Sequence, residues 1–248
     1  MSHRLTVLPH LIKHTPKVYN HVKGPFNVYA FDLDHTLIEP ITPGARFSRT
    51  ADDWRFMSFT PGKTTLEKLS EIIQEDPTAH IVIFSNQGGV LAVPQSSKSC
   101  MKYTAKIQLI LDEVSRSENG VNLLGRLWIY ASPKKPASSG LLKSKTKVKQ
   151  SMVTKNTRTK QLKLQNFYKL ETARSEVEDL FVKMRKPEIG MAQEFKKDLS
   201  ACYEAAPQIT WCHYCGDAAG RPKDFSDSDK EFAEKLGVQF KIPEEVFI

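Results

Sequence analysis

The hydrophobic pattern along this chain alternates between short apolar runs and longer amphipathic stretches. Short runs rich in Val, Ile, Phe and Tyr are typical of buried strands, and apolar positions three or four apart are typical of helices facing a core. The predicted strands cover residues 27–33, 80–85, 126–131, 209–215 and 238–242, and the predicted helices cover 64–75, 101–117, roughly 177–184 and 228–237. This alternation predicts an α/β fold, doubly wound around a mainly parallel sheet.

Two segments fall outside the alternation. Residues 39–62 are too short for a helical domain and are expected to form a small flap, with a hairpin in it. Residues 132–170 are rich in Lys, Ser and Thr and poor in large apolar side chains, so we expect a flexible, solvated insertion. The whole chain, 1–248, is expected to be one domain that carries both additions.

The positive charge of the chain is unevenly distributed along the sequence. The formal net charge is +8, but eleven of the 36 lysines and arginines lie in residues 133–170, which contain no Asp or Glu. The basicity therefore belongs to the insertion rather than to the body of the fold. Such a tract is expected to add non-specific affinity for nucleic acid. A solvated loop or part of a nuclear-localisation signal is the alternative interpretation.

Several functional classes are disfavoured by the composition and motifs. No apolar run approaches a membrane span, no secretory signal is evident, and four cysteines give no disulfide framework. Cys212 and Cys215 have zinc-ligand spacing, but they lie in a predicted strand without a second pair, which favours buried apolar cysteines. No Gly-x-x-x-x-Gly-Lys-Ser/Thr motif occurs, so neither an ATP site nor a 5'-kinase activity is expected. A nuclear monomer is expected, with a mitochondrial location as the alternative.

Polar side chains follow three of the predicted strands. Asp32 and Asp34 end the first strand, Ser85 and Asn86 end the second, and Asp217 lies just beyond the fourth. Ligands of open α/β sheets bind at the carboxyl ends of the strands. Two carboxylates at the end of an apolar run cost free energy unless a cation or a reaction needs them. Surface turns remain the alternative for either motif taken alone.

Four short motifs resemble those of a known enzyme group. The motifs "FDLDHTLI" (31–38), "FSNQGG" (84–89), "MRKPEIGM" (184–191) and "GDAAGRPKDFSDSD" (216–229) resemble, in order, those of the haloacid dehalogenase superfamily of phosphatases. Together they are more similar still to the phosphatase domain of the polynucleotide kinase 3'-phosphatase family. The resemblance implies a Rossmann-like fold with a minimal cap, and a DNA 3'-phosphatase that acts in strand-break repair. His35 stands where the superfamily usually has Gly; it is expected to be a tolerated variant, with a substrate contact as the alternative.

The chemistry of these residue types suits phosphate-ester hydrolysis. Asp32 is expected to attack phosphorus and form an aspartyl-phosphate, while Asp34 protonates the leaving oxygen and later deprotonates water. Ser85 is expected to hydrogen-bond a phosphoryl oxygen, and Lys186 to neutralise charge on the phosphate. Mg²⁺ is the expected cofactor, because it prefers oxygen ligands and substrate phosphate. The resemblance implies that the side chains of Asp32 and Asp217 and the backbone carbonyl of Asp34 hold it.

A DNA end bearing a 3'-phosphate is the expected partner, since a site without a cap domain admits a polymer end. Cationic side chains near such a site position the phosphate backbone, and an exposed Trp offers a stacking face for a base. For Trp54, core packing is the alternative. The expected substrate-binding residues are Asn86, Gln87, Arg185, Arg221, Lys223, Trp54 and Arg55.

Two other functions remain as alternatives. One is an uncapped phosphatase of a small metabolite such as a histidinol-phosphate or a sugar-phosphate, which the cationic rim and the missing zinc loop disfavour. The other is a non-catalytic DNA-end-binding protein, which the filled catalytic positions disfavour. Among the remaining acids, one of Asp224, Asp227 and Asp229 is expected to orient Lys186 or a metal-bound water, although capping of the last predicted helix by Asp227 is favoured for that residue.

Overall fold

The computed structural model describes residues 1–18, 24–137, 178–203 and 207–248 of the chain. Its strands are β1 (His3–Leu8), β2 (Leu11–Pro16), β3 (Phe26–Phe31), β4 (Ile38–Glu39), β5 (Arg55–Phe56), β6 (Ala79–Gln87), β7 (Leu127–Pro133), β8 (Ile209–Cys215) and β9 (Phe240–Lys241). Its helices are α1 (Thr65–Glu75), α2 (Lys98–Arg116), α3 (Gly120–Leu124), α4 (178–184), α5 (Gly190–Ser200), α6 (Ser228–Leu236) and α7 (Pro243–Val246). Each of the five predicted strands and four predicted helices overlaps one of these elements, with ends that differ by up to three residues.

A seven-stranded sheet forms the centre, in the order β1-β2-β7-β6-β3-β8-β9. Strands β7, β6, β3, β8 and β9 run parallel to one another. The hairpin of β1 and β2 is antiparallel and joins the sheet through β7. The predicted α/β class with a mainly parallel sheet is therefore confirmed.

The core lies on both faces of this sheet, because alternate residues of a strand point to opposite faces. Ile81 and Ile83 of β6 pack in one buried cluster with apolar residues of α1, α2 and α3. Val82 and Phe84 of the same strand pack in a second cluster with α5 and α6. Both clusters are apolar, and the sheet separates them.

Two helix ends follow local sequence rules closely. Thr64 caps α1 in a capping box with Glu67, so each residue satisfies a backbone N–H of the other. Gly237 ends α6 with φ of 72°, a left-handed conformation that glycine adopts without strain. Asp227 occupies the position before α6, but its side chain makes no capping hydrogen bond. Asp227 therefore lies at the predicted N-cap position of α6, but the prediction that its side chain caps the helix is wrong.

The N-terminal hairpin and α5 were not predicted from the sequence. In the hairpin, Pro9 interrupts the apolar run at the turn, and buried polar residues such as His3 and His14 obscure the strand alternation. The His3 ring compensates for its burial through Nε2, which lies 2.8 Å from the carbonyl oxygen of Leu127. Helix α5 buries Met191, Phe195 and Leu199 at helical spacing, directly after the third motif.

The two segments outside the alternation differ in how much of them the structure describes. In the first segment, the predicted flap, β4 and β5 form an antiparallel ladder of two residue pairs. This ladder brings together the two ends of the loop between the strands. The predicted flexible insertion, 132–170, begins too early, because Ser132 and Pro133 are buried residues of β7. Residues 138–177 lie outside the described residues, so the rest of the insertion stays a prediction. Within the described part of the chain, no helix is both long enough and apolar enough to cross a membrane.

Candidate active site

Three neighbouring strands bring the predicted polar residues to one edge of the sheet. Strand β3 lies between β6 and β8, and Asp32 continues its pairing by donating its backbone N–H to the carbonyl of Cys215 at 2.8 Å. Ser85 lies near the carboxyl end of β6, and Asp217 follows β8 by two residues. Together with Lys186 these side chains line one cavity of ≈ 590 Å³. The spatial convergence expected from the sequence is therefore present.

An acidic cluster forms the floor of this cavity. Carboxylate oxygens of Asp32, Asp217 and Asp229 lie within 4.8 Å of one another. Burial raises the pKa of Asp32 well above its usual range, and although Lys186 lowers it, Asp229 and Asp217 raise it further. Burial and the neighbouring charge of Asp229 raise the pKa of Asp217 to about 6. The cluster thus holds more negative charge than the protein neutralises.

Lys186 is fixed beneath this cluster by three acceptors. Its Nζ lies 2.6 Å from Asp32, 2.6 Å from Asp229 and 2.8 Å from the hydroxyl of Tyr214. Tyr214 in turn donates to Asp229 at 2.8 Å, and the second oxygen of Asp229 accepts the backbone N–H of Ala218 at 3.0 Å. Among Asp224, Asp227 and Asp229, it is therefore Asp229 that holds Lys186.

A glycine makes the close approach of Asp229 sterically feasible. An added Cβ at Gly216 would lie 2.5 Å from the carboxylate of Asp229, far inside contact distance. Any larger residue at this position would push Asp229 away from Lys186. The "GD" pair of the fourth motif thus combines a close backbone approach with a carboxylate at the cavity.

The free carboxylate oxygens fit a hard divalent cation. Both oxygens of Asp229 accept protein hydrogen bonds, whereas one oxygen of Asp32 receives none from the described residues. No described lysine or arginine lies within ion-pair distance of the Asp217 side chain. Oxygen ligands with excess negative charge are what a small divalent ion prefers. Asp32 and Asp217 therefore suit metal binding, and Asp229 suits positioning.

Asp34 lies to one side of this cluster and is held by two donors. Lys106 of α2 donates to one carboxylate oxygen at 3.0 Å, and Gln87 of β6 donates to the other at 2.6 Å. The same Gln87 amide also donates to the hydroxyl of Ser85 at 2.8 Å. Lys106 was missed in the sequence, although a lysine one position before Ile107 on the apolar face of α2 is a detectable anomaly.

His35 occupies the position where glycine was expected. Its φ is 64°, the left-handed region that non-glycine residues rarely adopt. Its ring lies over the flap, where Nε2 donates to the backbone carbonyl of Arg46 at 2.7 Å. The unusual backbone therefore places an imidazole that connects the first motif to the segment 39–62.

Three of the expected substrate-binding residues, Asn86, Gln87 and Arg185, line the cavity. The Asn86 side chain accepts the N–H of Lys186 at 2.9 Å and donates to its carbonyl at 3.0 Å, which ties β6 to the third motif. Arg185 lies against Gly88, where an added Cβ would be 3.3 Å from its guanidinium.

Four other expected substrate-binding residues do not line the cavity. Trp54 packs edge-on against Phe56 and against the core, and Arg55 pairs with Glu39 at 2.7 Å. Arg221 pairs with Asp224 at 2.9 Å, which closes the loop after β8. Lys223 is exposed on the same loop. These side chains lie outside the cavity rather than on its wall.

The cavity mouth contains residues that the sequence did not single out. Phe47 and Phe225 are 61% and 74% exposed, and the guanidinium of Arg46 lies 4.0 Å from the centroid of the Phe225 ring. Lys102 of α2 donates to the carbonyl of Ser48 at 2.9 Å. Exposed aromatic residues after short polar runs are a weak signal in a sequence, and only the fold brings them to one rim.

Comparison with known proteins agrees with the four motifs. The family model described as polynucleotide kinase 3 phosphatase matches residues 27–247. A polynucleotide 3'-phosphatase of Saccharomyces cerevisiae is 49% identical over an alignment that covers 100% of this chain and 99% of that protein. A polynucleotide 3'-phosphatase of Saccharomyces mikatae is 46% identical, with coverage of 100% and 96%. A bifunctional polynucleotide phosphatase/kinase of Schizosaccharomyces pombe is 26% identical over 93% of this chain and 40% of its own length.

Proposed function

Because this chain belongs to the polynucleotide kinase 3 phosphatase family, we propose that it is a polynucleotide 3'-phosphatase that restores 3'-hydroxyls at DNA strand breaks. The family match spans residues 27–247, and the relatives named polynucleotide 3'-phosphatase align along the entire chain. The activity assigns the chain to the phosphoric monoester hydrolases. The observation that carries the proposal is that Asp32, Ser85 and Asp217, at the carboxyl ends of three adjacent strands, line one cavity with Lys186, whose amine lies 2.6 Å from Asp32.

The first chemical step transfers the phosphoryl group to Asp32. An oxygen of Asp32 attacks phosphorus, the bond from phosphorus to the 3'-oxygen breaks, and Asp34 gives its proton to the departing oxygen. Lys186 keeps Asp32 oriented through a 2.6 Å contact and offsets part of the charge that gathers there. Ser85, which lines the same cavity, would donate its hydroxyl to a phosphoryl oxygen.

The second step returns the enzyme to its starting state. Asp34 removes a proton from a water molecule, the water oxygen attacks phosphorus, and the bond to Asp32 breaks to release inorganic phosphate. The proton that Asp34 lost in the first step is thereby replaced, so atoms and charge balance over the cycle. Splitting one difficult hydrolysis into two displacements lowers the barrier of each.

The acidic cluster also fits Mg²⁺ as cofactor. We propose that Asp32 and Asp217 hold it through side-chain oxygens and Asp34 through its backbone carbonyl. When bound, Mg²⁺ neutralises charge on the phosphate and aligns it with the nucleophile. Without a cation, two anionic carboxylates would repel the incoming phosphate dianion.

The cavity mouth suits a DNA end. Phe47 and Phe225 offer exposed rings for stacking bases, and Arg46, Arg185 and Lys102 offer charge for backbone phosphates. We keep Arg221, Lys223, Trp54 and Arg55 as proposed DNA contacts outside the cavity. They would meet the strand farther from its 3'-end.

The remaining assignments extend this proposal to the whole chain. We propose a haloacid-dehalogenase-like fold with residues 39–62 as its minimal cap, in a single domain of residues 1–248. The Lys-rich segment 132–170 would add affinity for DNA. A monomer located in the nucleus, or alternatively in mitochondria, would suit a repair role.

Substrate choice tests the proposal directly. Purified protein with Mg²⁺ is incubated in parallel with 3'-phosphorylated DNA, 5'-phosphorylated DNA and a panel of sugar phosphates, and phosphate release is measured. We expect release from the 3'-end alone. Release from sugars or the 5'-end only would refute the DNA 3'-phosphatase, and release from none would favour a non-catalytic end-binding protein.

A further inference from the structure

Lys106 of α2 is buried in an unusual place for a lysine. The residue is 6% exposed and lies beside Tyr103 and Ile107 on the helix face that packs into the core. Burying an ammonium group costs free energy unless it is paired. Within the described ranges of the chain, Asp34 is the only partner of its amine, at 3.0 Å. The contact with Asp34 is thus the interaction that compensates for this burial.

The second oxygen of Asp34 is held from a different direction. Gln87 donates to it at 2.6 Å and is itself placed at the end of β6. A carboxylate with one donor on each oxygen cannot rotate about its Cβ–Cγ bond without losing a hydrogen bond. Lys106 from the helix and Gln87 from the strand therefore define the plane of the Asp34 carboxylate.

We propose that Lys106 is a positioning residue that fixes the Asp34 carboxylate for proton transfer to and from the 3'-oxygen and water. This inference rests on the proposed function, in which Asp34 is the acid and base. Proton transfer requires hydrogen-bond distance and correct direction, so a small displacement of the carboxylate slows it steeply. Lys106 acts through Asp34 and not through a contact with DNA.

The rival explanation is that Lys106 simply attracts phosphate, since it lines the cavity. Lys102 provides a matched control for this explanation. It lies one turn earlier on α2 and lines the same cavity, but its amine donates to the carbonyl of Ser48 at 2.9 Å. Removal of Lys102 changes the local charge by the same amount without touching Asp34.

A double-mutant cycle separates the two explanations. Values of kcat/KM for a 3'-phosphorylated oligonucleotide are measured for K106M, D34N and the double variant, and for K102M with and without D34N. We expect K106M to lower kcat/KM by about 10- to 100-fold in the parent protein. In the D34N background we expect the same change to have an effect within about twofold, because the group it positions is already gone. The losses in kcat/KM caused by K102M and by D34N should multiply in the variant that carries both changes.

A full multiplicative loss for K106M in the D34N background would overturn the inference. Recovery of activity by K106R, which keeps the charge, is expected. If K106M does not fold, K106Q is used in the same cycle, and it decides in the same way.

The leaving group gives a second readout that a general structural defect would not produce. p-Nitrophenolate departs without a proton, so kcat/KM for p-nitrophenyl phosphate should fall much less in K106M than kcat/KM for the oligonucleotide. Equal losses on both substrates would overturn the positioning role. A parent protein that releases no phosphate from the oligonucleotide would instead refute the proposed function, so the two failures are distinguishable.

Discussion

In the described part of the chain, two lysines each lie between two carboxylates, one at the candidate active site and one where the N-terminal hairpin meets α5. At the second place, Lys13 contacts Glu194 at 3.0 Å and Asp198 at 2.7 Å, and the hydroxyl of Tyr130 donates to Asp198 at 2.9 Å. The same geometry recurs around Lys186, with a tyrosine hydroxyl again bonded to one carboxylate. Geometry alone therefore does not distinguish the two clusters.

The balance of charge distinguishes them. Around Lys13, a second lysine, Lys197, lies 3.5 Å from Glu194, so two ammonium groups meet two carboxylates. Partial burial raises the pKa of Glu194, but the hydrogen bond and charge of Lys13, together with those of Lys197, outweigh it, so the pKa is lowered. The pKa of Lys13 is raised, since its two carboxylates outweigh its own burial. Each of these two groups favours its charged form, as in a structural ion pair.

Around Lys186, three carboxylates share one ammonium group. The pKa values of Asp32 and Asp217 are raised, because burial and neighbouring negative charge disfavour ionisation. This cluster lacks a positive charge that a divalent ion would supply. Excess buried charge, rather than the presence of ion pairs, is thus what marks the functional cluster.

The largest expected effect comes from removing the nucleophile. D32N should lower kcat for 3'-phosphate release by at least about 10³-fold, since no other side chain can form the covalent intermediate. DNA binding, measured by fluorescence anisotropy with a 3'-phosphorylated oligonucleotide, should change little. A D32N protein that keeps a tenth of the parent activity would show that Asp32 is not the nucleophile.

Replacement of Lys186 and of Lys13 should show that the two clusters contribute differently to the stability of the fold and to activity. K186M leaves two buried carboxylates uncompensated and should lower the free energy of unfolding by roughly 3 kcal/mol. K13M, whose partners are closer to solvent, should cost about 1 kcal/mol. Urea denaturation gives both values, and phosphate release shows whether only K186M is inactive. A larger stability loss in K13M would contradict the comparison.

Metal binding should be confined to the cluster with excess charge. A free Mg²⁺ concentration ten times its dissociation constant should stabilise the parent protein by about 1.4 kcal/mol, seen as a higher Tm. D217N should lose this response, because it removes one of the two free carboxylates. E194Q, which removes a carboxylate from the Lys13 cluster, is the control and should keep it. Equal responses in D217N and the parent would place the ion elsewhere.

The smallest effect is a pH dependence at the Lys13 cluster. Because the folded-state pKa of Glu194 is lowered, the ion pair stabilises the fold above the unfolded pKa, near 4.5, and this contribution is lost as the pH falls through the folded value. The parent should exceed E194Q by about 1 kcal/mol at pH 7, with the difference vanishing under acid conditions. Thermal unfolding at a series of pH values measures it. A difference that grew toward low pH would have the wrong sign.

The central strands and their catalytic ends could be predicted because the information is local. Apolar runs identify β3, β6 and β8, and Asp32, Ser85 and Asp217 follow from their place at strand ends. Parallel pairing then brings those ends together without further knowledge. The polar start of α6 was also evident, although the side-chain cap by Asp227 was not realised.

The rest depends on contacts between distant parts of the chain. Lys106 reaches Asp34 across 72 positions, and Tyr214 of β8 meets Lys186, which lies between α4 and α5, across 28 positions. Arg221 was expected on the rim, but Asp224 nearby binds its guanidinium. The N-terminal hairpin was not predicted, because its buried histidines give the sequence the pattern of an exposed polar segment. Apart from the local pair of Arg221 and Asp224, three residues apart, local patterns carry no information about these partners.

Direct trapping of the phosphoryl group on Asp32 tests the central claim most closely. The protein is mixed with an oligonucleotide carrying a radiolabelled 3'-phosphate, quenched with acid within the first turnover and digested, and the label is located by peptide mapping. We expect the label on the peptide containing Asp32, and no label in D32N. Turnover by the parent protein with no label on that peptide, or with label on another residue, would contradict the account.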